Sequence, residues 1–127
     1  MKKKAIESRV DIQLLVETFY AKVRADDSIG PFFNESISDW PSHLDRLTDF
    51  WETNLFFVQK FKGNPMLKHQ LVNKRFNNSI TSYHFGVWLT LWVSTIDELF
   101  EGENAERAKE RARKMGTHLL VALSQMK

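Results

Sequence analysis

The chain has no cysteine among its 127 residues. That excludes disulfides, thiolate zinc sites and any cofactor attached through a Cys-x-x-Cys-His motif, and it fits a reducing cytoplasm. Only three prolines and five glycines occur, and they punctuate helices rather than hairpins. No apolar run approaches the roughly 20 residues of a membrane span, so no membrane partner is expected. No repeat, low-complexity tract or Pro/Gly/Ser-rich linker divides the chain. Charge of one sign is not concentrated either: 18 Lys and Arg stand against 16 Asp and Glu, without the clustered basic face that nucleic acid requires. Lys2, Lys3 and Lys4 are followed by Ala5-Ile6-Glu7-Ser8-Arg9 rather than by an apolar core, so the start does not read as a signal peptide. Residues 1–9 are expected to be a flexible N-terminal segment, and 10–127 a single domain.

What is abundant is aromatic: ten Phe, four Trp and two Tyr make 13% of the chain. Such side chains either fill a core or line a pocket for a large flat ligand. Helical spacing accounts for most of them. Ile12, Leu15, Val16, Phe19 and Val23 form one stripe, which predicts a helix over 11–25 with Tyr20 at the stripe's edge. Ser28-Ile29-Gly30-Pro31-Phe32-Phe33 reads as a tight corner whose Phe pair plugs into the core. Ser38-Asp39-Trp40-Pro41 is a helix start, and the helix is expected to run to about residue 58 with His43, Leu47 and Phe50 or Trp51 on one face. Asn64-Pro65 starts a short helix carrying His69, and 71–80 is expected to be a loop. Thr81 or Ser82 opens a fourth long pattern, with Phe85, Trp88, Trp92, Ile96 and Leu99 as a stripe that should bury Trp88. The last helix, 104–126, presents Ala105, Ala108, Ala112, Met115, Leu119 and Leu123. No segment alternates as a strand does, so the fold class is all-α.

Four residues on four of these helices need a joint explanation: Tyr20, His43, His69 and Trp88. Each lies on or beside an apolar stripe. One neutral imidazole in an apolar pocket suffices as the axial ligand of a haem iron. His69 has that setting, and Tyr20, His43 and Trp88 carry O–H and N–H donors for the other side. Each alone has a plainer reading as a satisfied core residue.

The segments Phe19-Tyr20, Ile29-Gly30-Pro31-Phe32-Phe33-Asn34, Trp40-x-x-His43, Phe50-Trp51, Gly63-Asn64-Pro65-x-x-x-His69 and His84-Phe85-x-x-Trp88-Leu89 resemble, in order and approximate spacing, those of the group III truncated haemoglobins. The resemblance runs from about Val10 to Met126. It implies a shortened globin fold, a helix sandwich around haem b. His69 then matches the proximal, iron-binding histidine. Tyr20, His43 and Trp88 match the distal residues facing a bound gas, and Leu47 an apolar distal position. Phe33, Lys68 and His84 are further candidates for the haem environment, the last two as propionate partners. The stretch from Asn73 to Ser79 departs from the family pattern, being rich in Asn where apolar residues or proline are expected.

The resemblance implies reversible binding of O2, CO and NO at a five-coordinate iron in a polar pocket. The alternative is redox chemistry in the same pocket, the detoxification of nitric oxide or peroxide. That would need a separate reductase, because the chain has no nucleotide-binding motif. A monomer or weak dimer is expected.

Overall fold

The computed structural model describes residues 3–57 and 81–124, with side chains through 118. These residues form helices and connecting turns, without a strand: α1 (Arg9–Ala25), α2 (Gly30–Ser36), α3 (Trp40–Phe56), α4 (Ser82–Leu99) and α5 (Glu103–Ser124). The all-α expectation holds. Helix α1 packs against α2, α3 and α4, while α5 closes on α3 and α4. None of the described helices is long and apolar enough to cross a membrane.

Helix α1 starts two residues before the expected Asp11, because Asp11 caps backward. Its carboxylate accepts from the N–H groups of Glu7 (2.9 Å) and Ser8 (3.2 Å) and from Lys4 Nζ (2.7 Å). Burial alone would raise its pKa. The Lys4 hydrogen bond and the two backbone donors outweigh burial and hold it below its ordinary value. The residues ahead of α1, expected as a flexible lead, are packed here. Ile6 is fully buried, Asn104 donates to its carbonyl at 2.8 Å, and Glu101 N–H donates to the Lys4 carbonyl at 3.0 Å.

The segment read as a tight corner is a seven-residue helix, α2. Gly30 is required at its start. A Cβ there would stand 2.8 Å from the Arg24 carbonyl oxygen and 3.1 Å from that of Val23, so only glycine lets α2 meet the end of α1 this closely. Asp39 caps α3 by accepting from Ser42 N–H (3.2 Å), and Pro41 occupies the first turn. At the other end of α3, Phe57 takes a left-handed conformation (φ 60°). Arg9 fastens α1 to α3 through Asp45, Asp49 and Glu52, at 2.7, 2.6 and 2.5 Å.

The core is aromatic. Trp92 is fully buried, stacked on Trp51 (4.5 Å, 23°) and edge-on to Phe19 (4.9 Å, 81°). Its indole N–H donates to the Ala108 carbonyl at 3.2 Å. Ala105, Ala108 and Ala112 are buried, and their small side chains let α5 come within reach of that indole. Trp88, expected to be buried, is instead half-buried against the core. It lies parallel to Trp92 (6.4 Å, 5°), one turn earlier on the same helix.

Candidate functional site

Three of the four singled-out side chains converge. Tyr20 projects from α1 into a ring of aromatics: Phe19 at 4.7 Å, Phe33 at 5.8 Å, Trp40 at 6.0 Å and His43 at 6.1 Å, centroid to centroid. Helix α1 directs it there because Val16 and Val23 flank it on the buried stripe. His43 comes from the first turns of α3 and stands edge-on to both Tyr20 (88°) and Trp40 (90°). Trp88 comes from α4, and Phe19 joins it to the same cluster (5.8 Å, 84°).

The Tyr20 hydroxyl is buried. Burial raises its pKa to about 12, and a hydrogen bond from Trp88 opposes part of that rise. The phenol therefore keeps its proton at every physiological pH. The Tyr20 O–H, keeping its proton, remains available as a donor.

Phe33 and Leu47 sit half-buried beside this group, packed on the core together with Leu44, Phe50 and Leu91. His84 opens α4. Its Nδ1 accepts from Thr81 N–H at 2.9 Å, its ring lies 4.9 Å from Phe32, and burial lowers its pKa. His69 and Lys68, along with the expected short helix after Pro65 and the loop over 71–80, lie outside the described residues. Among the described residues no cluster of His, Asp or Glu is arranged to hold a metal ion by itself.

Sequence reasoning passed over Trp40 as a site residue. Its spacing of three from His43, which puts both on one face of α3, was the available signal. It also passed over Arg24, whose guanidinium carbon lies 4.4 Å from the centre of the Trp40 ring. No local pattern announces that contact.

A group 3 truncated haemoglobin of Campylobacter jejuni subsp. jejuni is 30% identical over 111 residues, which are 84% of each chain. The chain belongs to the group III truncated haemoglobins. The crystal structure of the group III truncated haemoglobin from Campylobacter jejuni superposes on this globin with a TM-score of 0.84 at 29% identity, covering 97% of this chain and 95% of the other. The fold is shared more widely. The 2/2 haemoglobin from Synechococcus sp. PCC 7002, solved in the cyanomet state with covalently attached haem, gives a TM-score of 0.71 at 23% identity over 91% of each chain. No protein-family model matches the sequence.

Proposed function

We propose that this truncated haemoglobin binds haem b and, on it, diatomic gases (O2, CO and NO) reversibly, using a polar distal pocket. The observation that carries the reading is the convergence of Tyr20, His43 and Trp88 from three helices, with the Tyr20 phenol buried and protonated. Family membership supports haem-based gas binding. The residues present fit haem on two counts: Tyr20, His43 and Trp88 carry groups that can donate hydrogen bonds, and the side chains beside them (Phe33, Leu47, Phe50, Leu91) are apolar and only half-covered. In this reading His69 holds the iron, Leu47 and Phe33 contact the ring system, and Lys68 and His84 serve the propionates. Haem, when bound, would supply the iron to which a diatomic gas binds.

The chain's own residues set what happens there. Tyr20 O–H is the donor best suited to stabilise negative charge drawn onto a bound gas, and the Trp88 N–H is a further donor of the same cluster. Phe19, Phe33 and Trp40 exclude water around that hydroxyl, which strengthens its interaction with any charge beside it. The His43 imidazole adds a second donor at the pocket's outer side. A reducing cytoplasm belongs to the same reading, and a separate reductant to the alternative, redox chemistry in the same pocket.

Oxygen dissociation from the haem-loaded protein tests it. Loss of one donor to a charged acceptor is worth about 1.5–3 kcal/mol, so Tyr20→Phe should release oxygen roughly tenfold to a hundredfold faster. Trp88→Phe, which removes the indole donor, should also speed release. Unchanged rates in both variants would refute the polar pocket.

A further inference from the structure

We propose that Arg24 and Trp40 form a latch that holds His43 inside the pocket and so limits how fast a gas enters. The proposal rests on the haem reading above. Trp40 is the first residue of α3, in a turn already fixed by the Asp39 cap and by Pro41. Its ring is 9% exposed, although it lies at a helix end. The Arg24 guanidinium covers one face at 4.4 Å, and the His43 imidazole meets the ring edge-on at 5.5 Å. On its inner side His43 meets Tyr20. The imidazole is therefore clasped between one residue of the pocket and one residue of the latch.

Arg24 is held in turn. Its Nε donates to Asn34 Oδ1 at 3.0 Å, and Asn34 Nδ2 donates back to the Arg24 carbonyl at 3.1 Å. Asn34 lies on α2, which Gly30 brings against the end of α1. Arg24 thus joins α1, α2 and the first turn of α3 beside the imidazole. An outward rotation of His43 exchanges its contacts with Tyr20 and Trp40 for water, and Trp40 can yield only by leaving the guanidinium. Arg24 is exposed and acts on the imidazole through Trp40, so it is a positioning residue.

The expected size is modest. A cation over an indole at an exposed site is worth about a two- to fivefold shift in an equilibrium. The test is carbon monoxide recombination after flash photolysis of the haem-loaded protein, in wild type, Arg24→Gln, Arg24→Lys, Trp40→Phe, His43→Ala and the Arg24→Gln/His43→Ala double variant. Arg24→Gln should speed bimolecular association about two- to fivefold. Arg24→Lys, which keeps a cation but loses the planar stack, should fall between it and wild type. Trp40→Phe should be at least as fast as Arg24→Gln. In the His43→Ala background the Arg24 change should have no further effect, which a merely structural role would not produce. Equal rates in wild type and Arg24→Gln, or the same acceleration with and without His43, would overturn the latch alone. A protein that takes up haem poorly and gives no carbon monoxide spectrum would overturn the haem reading and the latch together.

Discussion

Titration of Tyr20 gives a quantitative test of the pocket that needs no haem. The phenol is buried, and its pKa is raised to about 12, first by burial and against an opposing hydrogen bond from Trp88. In the unfolded chain it titrates near 10. Between those values the folded state holds a proton that the unfolded state has released. Stability from this group is therefore fully present below pH 10 and is lost as pH rises toward 12. Two units at 1.36 kcal/mol each amount to about 2–3 kcal/mol. Other groups titrate in the same range, so the informative quantity is the difference between wild type and Tyr20→Phe. At pH 8 the variant should be less stable by about 0.5–1.5 kcal/mol, the net worth of the hydrogen bond it loses. The gap should close and then reverse by about 2 kcal/mol as pH approaches 12, because Phe has no proton to lose. Urea unfolding followed by far-ultraviolet circular dichroism at several pH values from 8 to 12 measures it. A difference independent of pH would refute the burial of the hydroxyl and, with it, the water-excluded pocket.

Gly30→Ala would place a Cβ 2.8 Å from the Arg24 carbonyl oxygen. Overpacking of about 1–3 kcal/mol should exceed the roughly 1 kcal/mol that alanine gains in a helix, so a gain in the urea midpoint would refute the close approach. Asp11→Ala removes the acceptor of two backbone donors and should cost about 1–3 kcal/mol. Lys4→Ala should cost less, since Lys4 is 61% exposed; equal losses would show that the ion pair rather than the cap holds the N-terminus. The pKa of Asp11 is lowered, so its contribution should be present above the usual carboxylate range and fade as pH falls below it. The pKa of His84 is also lowered, by burial. The folded state resists its protonation, and stability should fall as pH drops below about 6.5. His84→Gln, which keeps an acceptor for Thr81 N–H, should flatten that part of the urea-midpoint profile.

Periodicity made the helices and their buried faces legible, because each stripe has one solution for which side turns inward. It did not reveal depth. Trp88 and Trp92 share a stripe, yet Trp92 is sealed by α5 and Ala108 while Trp88 is only half-buried. Nor did it show where α1 begins, since Asp11 looks like a first-turn residue and works as an acceptor for the turn before it. Gly30-Pro31 reads equally well as a corner or as a helix start, and the approach of α1 to α2 decides for the helix. Tyr20, His43 and Trp88 could be selected from sequence because each is a polar group on an apolar face. That the three converge is a tertiary fact, as is the placement of Arg24 on Trp40.

The central claim is most directly tested by the absorption spectrum of the purified protein with added haem, ferric, ferrous and under carbon monoxide, with wild type beside His69→Ala. A sharp Soret band in wild type that shifts under carbon monoxide, and is lost or displaced in His69→Ala, is the predicted result. A wild type that takes up no haem, or a His69→Ala spectrum identical to it in all three states, would contradict the account.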